Sequence, residues 1–385
     1  MNIRGLIEAV DISFADLLGI SRRAVDENSV HCKAAIDWLC VAQDIKPDGG
    51  ISRGYNILSR KWGALYPETT GYIIPTFFDY FHTTVKSVYR QRALRMADWE
   101  ISVQMENGAF QSGDLDLLPQ KPAVFNTGQV LFGLVNAYKE TKDDKYKSAA
   151  VKAADWLIEA QDNDGAWRTD LSTLTNNPVH LYNTRTAWGL LKVHSITLNE
   201  TYLNAAVQNM DWALRQQLDN GWFSDNVFNV SEDPLTHTIA YAVEGILECG
   251  VYLDNKVYIN SAVKSANALL ELQQRDGSLY GIYDSNWKNT VNWSCLTGNA
   301  QVSVIWLRLF ELTRDKKYLD AAKRINCFLK KTQDLKATNK GILGGIKGSL
   351  PIWGGHETFS YPNWAAKFFV DALLLEDKIE KEQME

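Results

Sequence analysis

The sequence predicts an all-α chain, an (α/α)6 toroid built as a single domain over residues 1–385, in which six helical hairpins of about 58 residues close into a double ring. Three observations predict it. First, one phrase returns six times: a bulky apolar anchor, a glutamine five positions later, then a glycine turn. The anchor and glutamine pairs are Trp38/Gln43, Trp99/Gln104, Trp156/Gln161, Trp212/Gln217, Leu269/Gln274 and Phe328/Gln333. The turns are Asp48-Gly49, Asn107-Gly108, Asp164-Gly165, Asn220-Gly221, Asp276-Gly277 and Lys340-Gly341. Second, the segments ahead of four anchors share one helical style, an aromatic followed by alanines at helix spacing. Third, each turn is followed by a loop and then a far more apolar helix.

Taken in order, the anchor helices carry Lys145-Tyr146 with Ala149, Ala150, Ala153 and Ala154; Tyr202 with Ala205 and Ala206; Tyr258 with Ala262 and Ala266; and Tyr318 with Ala321 and Ala322. Small residues three and four apart let a neighbouring helix approach closely. The apolar helices are expected at 70–81, 127–138, 184–194, 238–253, 297–312 and 363–375. A helix apolar nearly all round belongs inside, and one with a polar stripe outside. Six inner helices alternating with six outer ones give the two rings.

Bulk properties agree with one large core. Hydrophobic residues make up 45%, with 13 Trp and 16 Tyr, and no linker or low-complexity stretch interrupts the repeats. A net charge of −6 with no basic stripe argues against nucleic acid. Residues 1–20 carry Glu8, Asp11 and Asp16 within their apolar part, unlike a signal peptide, and no run of 18 apolar residues suggests a membrane span. Five cysteines without a CxxC pair read as reduced core residues of a cytoplasmic protein.

The aspartates of the glycine turns, Asp48, Asp164 and Asp276, read as structural. A residue repeated in every unit does what every unit needs: the glutamine bonds open backbone at a helix end, and Asp/Asn-Gly makes the turn. The phrase resembles the QW repeat of triterpene cyclases and the helical hairpins of protein prenyltransferases, most closely at Trp156-Leu157, Gln161 and Gly165-Ala166-Trp167. That resemblance implies scaffold. The acidic DxDD motif of the cyclases is absent, Asp114-Leu115-Asp116-Leu117 being the nearest stretch, and no zinc set of the prenyltransferase kind is present.

The repeats differ where the inner helices begin. Inner helices running the same way gather their N-termini at one end, so Tyr72, Asn126, Gln129, Asn183, Arg185, Tyr241, Asn299, Gln301, Asn363 and Trp364 are expected around a central cup. Threonines and asparagines there read as helix caps, with Pro362 in a first turn. Amide, hydroxyl and aromatic lining suits an oligosaccharide or polysaccharide. Trp287, Trp293, Trp353 and Trp364 are expected as stacking surfaces, and Lys347, His356 and Tyr361 sit in a long glycine-rich loop and its sequel, of the kind that carries function.

Glu68, His237 and Tyr241 are the candidate catalytic groups. Glu68 stands just before the first inner helix, and His237, Tyr241 and Glu244 share one helical face. Arg185 and Lys347 would hold a substrate carboxylate. No nucleotide, metal or cofactor motif is present. The constellation resembles the six-hairpin carbohydrate-active enzymes: unsaturated glucuronyl hydrolases, toroid polysaccharide lyases and sugar 2-epimerases. The paired aspartates of the glucuronyl hydrolases are missing from the inner-helix starts. The resemblance implies cleavage of a glycosidic bond in an acidic glycan by hydrolysis or elimination. The alternatives are an epimerase using His237 and His356, a non-catalytic glycan- or protein-binding toroid, and an isoprenoid enzyme.

Overall fold

The computed structural model describes residues 2–19 and 25–384; Met1, residues 20–24 and Glu385 of the expected 1–385 unit lie outside the described residues. Helix α1 (Ile3–Leu18) precedes the ring. The outer helices are α2 (Asn28–Asp44), α4 (Ser87–Val103), α6 (Asp144–Glu159), α8 (Glu200–Leu214), α10 (Lys256–Glu271) and α12 (Lys316–Thr332). The inner helices are α3 (Pro67–Thr84), α5 (Val124–Thr141), α7 (Thr184–Thr197), α9 (Thr236–Tyr252), α11 (Leu296–Thr313) and α13 (Asn363–Met384). Each inner helix packs on the next, and α13 packs on α3, so the inner ring closes. No described helix is long and apolar enough to cross a membrane.

Four inner helices join the following outer helix by the same tight reversal. Val85, Lys142, Leu198 and Arg314 take left-handed backbone after α3, α5, α7 and α11, and Asp143, Asn199 and Asp315 then cap the next helix through their side chains. Helix α2 has no inner helix before it in sequence and packs instead on α13, at the far end of the chain. That closure is polar as well as apolar. Asn28 donates to Asp377 at 2.8 Å, Gln333 Nε2 donates to the His31 carbonyl at 3.1 Å, and β1 (Gly54–Asn56) pairs antiparallel with β5 (Ser360–Pro362). Strand β2 (Lys61–Trp62) extends that sheet beyond β1, and β3 (Ser294–Cys295) pairs with β4 (Ser349–Leu350) in a separate ribbon.

The repeated glutamine bridges two backbones. Gln161 Nε2 donates to the Gly165 carbonyl of its own turn and to the Ala205 carbonyl of the next outer helix, both at 3.0 Å. Gln43, Gln104, Gln217 and Gln333 do the same in their repeats. Glycine is required because the turn lies on that helix: Gly165 has φ +92°, and a Cβ there would sit 2.2 Å from the Gln208 carbonyl. Two readings of the phrase shift. In the fifth copy Gln273, not Gln274, makes the bridge, to Gly277 and Ala321, so Ala268 rather than Leu269 stands five residues ahead of it. In the sixth the turn glycine is Gly344, with φ +80° and its carbonyl on Gln333, not Gly341.

Asp164 caps Ala166 N and pairs with Arg168 on the surface, and that pairing holds its carboxyl down at about 2. Tyrosines stitch neighbouring outer helices, as in Tyr202 to Asp155 at 2.7 Å and Tyr258 to Asp211 at 2.6 Å. All five cysteines are free thiols.

Candidate active site

The threonines at the inner-helix starts do not cap their own helices. Thr70 Oγ1 accepts from Ile51 N at 3.0 Å and donates back to the Tyr66 carbonyl, and Thr127 Oγ1 accepts from Phe110 N and donates to the Ala123 carbonyl. Each therefore ties the chain just past a glycine turn to an inner helix, which holds the incoming loop at the mouth of the ring. Asn299 does this in the fifth repeat, accepting from Leu279 N and donating to the Leu279 and Cys295 carbonyls. Asn363 donates to Ser52 O and Thr69 Oγ1. Pro362 lies in β5, one residue before α13 rather than in its first turn.

These loops enclose a cavity of about 430 Å³ at the N-terminal ends of the inner helices. Of the expected residues, Glu68, Tyr72, Asn126, His237, Tyr241, Trp293, His356 and Trp364 line it. Its walls are further aromatic, with Tyr66, Phe125, Tyr182 and Phe228. Glu68 accepts from the Tyr66 hydroxyl at 2.8 Å, and burial pushes its carboxyl up to about 7 against the pull of Tyr66 and Arg53. It therefore keeps a proton close to neutrality.

Two histidines face each other across this space, with ring centroids 5.2 Å apart. His237 Nδ1–H donates to Gln301 Oε1 at 2.6 Å, which leaves the lone pair on Nε2. His356 Nε2 accepts from Trp364 Nε1–H at 3.3 Å, which leaves its proton on Nδ1. Burial drives both imidazoles below their ordinary range, His356 to about 4 with Arg53 adding to the effect, and His237 well below its ordinary value with His356 and Arg185 adding. Both rings are neutral at physiological pH and share the Nδ1–H tautomer, but they leave opposite ends unengaged, the Nε2 lone pair on His237 and the Nδ1–H on His356. Tyr241 packs on His237 at 4.3 Å, and its hydroxyl donates to Tyr72 at 3.4 Å to form the floor.

Below that floor the expected cup residues separate from the cavity. Arg185 is buried, donating to Gln129 Oε1 at 2.9 Å and paired with Glu244, its guanidinium stacked on Tyr241 and Phe368. Arg185 and Glu244 line a second cavity of about 590 Å³ at the opposite ends of the inner helices. This second cavity is larger but is walled by ion pairs, including Arg308–Glu248 and Lys367–Asp371. Gln129 is occupied with Arg185, and Gln301 reaches the site only through His237. Asn183 is buried in a 3-10 turn with Thr186 on its oxygen.

Other expected ligands lie elsewhere for plain packing reasons. Lys347 is buried against Asp16 of α1. Trp287 packs on Trp222 at 5.0 Å and donates to the Asn220 carbonyl. Trp353 is surface-exposed, and Tyr361 is buried in β5 opposite Tyr55.

The sequence reading missed Arg53, which donates to Glu357 at 2.8 Å and lies over the rings of Tyr66 and Trp364. It also missed Tyr66, Tyr182, Glu232, Asp233 and Glu357. Arg53 follows the first glycine turn by four residues, and loops leaving such turns are the ones that reach the cavity. Among the described residues, no group of three or more His, Cys, Asp or Glu side chains is arranged to hold a metal ion.

The squalene-hopene cyclase C-terminal domain model matches residues 120–247, the stretch that includes the best QW-like copy. A search of curated proteins gives no match. Among solved structures, an unsaturated glucuronyl hydrolase specific for heparin is 16% identical with a TM-score of 0.73, covering 91% of this chain and 97% of that one. A cellobiose 2-epimerase from Bacillus thermoamylovorans is 14% identical, with a TM-score of 0.70 over 90% of this chain and 96% of that one. A D-mannose isomerase is 13% identical, with a TM-score of 0.70 over 91% and 97%. The cyclase-type resemblance of the repeats and the glucuronyl hydrolase and epimerase resemblance of the whole constellation recur in these matches, and at such identities they establish the architecture: the chain is an (α/α)6 toroid.

Proposed function

We propose that this protein is a saccharide epimerase or aldose–ketose isomerase that moves a proton at the carbon next to a sugar carbonyl. One observation carries the reading: two neutral imidazoles, one with its Nε2 lone pair and the other with its Nδ1–H left unengaged, share the cavity with a carboxyl that holds its proton to about 7. His237 Nε2 takes the proton from C2 of an open-chain aldose, the C–H pair forms the C1=C2 bond, and Glu68 protonates O1 to give an enediol. Return of the proton from His237 to C1, with the Glu68 carboxylate taking the O2 proton, yields a ketose and restores both groups. Delivery of a proton from His356 Nδ1–H to C2 on the other face, with return of the O1 proton to Glu68, yields the epimer. The proton held by His237 then returns to His356 through solvent before the next turnover. Tyr241 and Tyr72 hold hydroxyls, and Trp293 and Trp364 offer faces to the ring of a glycosidic neighbour. Neighbours described as cellobiose 2-epimerase and D-mannose isomerase support this chemistry.

The substrate we favour is neutral. The acidic glycan expected from the sequence depended on Arg185 and Lys347, which are ion-paired away from the cavity. Among the described residues, Arg53 is the one Lys or Arg side chain in the lining, against Glu68, Glu232, Asp233 and Glu357. A second reading is glycosidic cleavage with Glu68 as the acid, favoured by its raised carboxyl and by the glucuronyl hydrolase neighbours. Incubation with reducing aldoses and β-linked disaccharides in deuterated water decides between them. Incorporation of deuterium at C2 or C1 with a new epimer or ketose supports proton transfer. Release of new reducing ends without exchange supports cleavage and rejects our reading.

A further inference from the structure

Helix α1 is built inside out. Its small residues Gly5 and Ala9 face the toroid, and a Cβ on Gly5 would lie 2.3 Å from the Ile57 carbonyl, so only glycine permits that approach. Ile12 packs against the core, but its other bulky residues face outward: Ile3 is 78% exposed, Ile7 56%, Val10 59%, Phe14 60% and Leu17 69%. A surface helix normally shows the reverse, with bulky apolar groups inward. The helix is not loose. Glu8 pairs with Arg60 and accepts from Asn339, and Asp16 pairs with Lys347 and accepts from Ile352 N. The outward stripe is therefore presented by a helix fixed to the scaffold.

The spacing of that stripe specifies its partner. Residues 3, 7, 10, 14 and 17 alternate steps of four and three, the seam of a two-helix coiled coil over about two heptads. Leu6 and Leu18, also exposed, widen it on either side. A membrane surface fits poorly, because helices that lie on anionic lipid carry Lys and Arg on the polar face, whereas the polar positions here hold Arg4 against Glu8, Asp11 and Asp16. Arg4 and Asp11 occupy the same flank of the stripe one heptad apart. An antiparallel pair of identical helices brings Arg4 of each copy beside Asp11 of the other, and the two contacts are related by the dyad.

We infer that α1 is a self-association helix, and that two copies of this chain pair antiparallel through Ile3, Ile7, Val10, Phe14 and Leu17. The usual entropic obstacle to so short a coiled coil is reduced, since each helix is already ordered on its toroid before it meets the other. The cavity lies at the mouth of the ring and needs nothing from the second copy.

The test is the solution mass of the full chain by sedimentation velocity and light scattering at micromolar concentrations. The expected mass is twice the 43.5 kDa of one chain. Ile7→Glu with Phe14→Glu should give a monomer with unchanged circular dichroism, because both side chains are exposed in the single chain. Arg4→Asp should weaken the dimer, and Arg4→Asp combined with Asp11→Arg should restore it. A monomeric wild type overturns the inference, as does a dimer indifferent to the double glutamate variant. Failure of the charge swap to rescue overturns the antiparallel arrangement. Flotation of the wild-type chain with vesicles of phosphatidylcholine and phosphatidylserine, lost in the glutamate variant, would assign the stripe to membrane instead.

Discussion

His237 and His356 lie with ring centroids 5.2 Å apart although they stand 119 positions apart in the chain, and each has its tautomer set by a different neighbour, Gln301 for one and Trp364 for the other. A lone pair and an N–H of the same residue type are thus presented to one substrate. Replacing His237 or His356 with Asn should lower turnover by about 10²–10⁴-fold with the fold intact, the usual scale of a general acid–base contribution. Deuterium incorporation measured by NMR checks it, and wild-type exchange in both variants removes these residues from the mechanism.

Gln301 acts only through His237. Gln301→Glu should favour the protonated imidazole and move the acid limb of the activity profile to higher pH. Gln301→Leu should lower kcat by a smaller factor while KM stays near its wild-type value. A pH–rate series on both variants reads this out. An unshifted acid limb in Gln301→Glu would mean that the hydrogen bond is packing alone.

Titration should leave two signatures on stability. Glu68 has a folded value raised from about 4.5 to about 7, so its contribution is full below the ordinary carboxylate range and is lost as pH rises toward 7. His356 is lowered from 6.5 to about 4, so its contribution is present above 6.5 and is lost as pH falls through about 4. Denaturation midpoints across pH should show the Glu68 slope vanish in Glu68→Gln, and the same variant should lose the alkaline limb of activity near pH 7. Retention of both features in Glu68→Gln would remove Glu68 as their source.

Arg185 should behave as a structural ion. Arg185→Met strands the buried Glu244 carboxylate and should destabilise by about 3–5 kcal/mol in urea unfolding. Adding Glu244→Gln should recover much of that loss. Discrimination between acidic and neutral saccharides should be unchanged, and a selective loss of acidic ligand binding would return Arg185 to the site.

The fifth repeat offers a paired control. Gln273→Ala unties two backbone carbonyls and should cost about 1–3 kcal/mol, while Gln274→Ala should stay within about 0.5 kcal/mol, as a substitution away from the bridge. Equal losses in thermal or urea unfolding would contradict the register observed here.

The sequence by itself determined the ring. Six copies of an anchor, a glutamine and a glycine turn are read without coordinates, because local spacing and backbone need dictate them in every unit. The same logic set aside Asp164, whose carboxylate caps its own turn and pairs with Arg168. Glu68, His237 and Tyr241 were also legible as cavity residues, since they follow directly from the polarity of helix starts in a closed ring. Only tertiary structure decided which side of the Tyr72–Tyr241 floor a side chain would reach. Arg185 stands second in its helix yet turns away from the cavity, because Gln129, Glu244 and four aromatic rings satisfy a buried guanidinium there. Arg53 does the opposite, carried from an unremarked loop to the cavity mouth by pairing between β1 and β5. That pairing joins residues about 300 positions apart, as does the packing of α2 on α13. Periodicity reports what each repeat does for itself and its neighbour, whereas the contents of the shared axis depend on which buried charges find partners after the ring has closed.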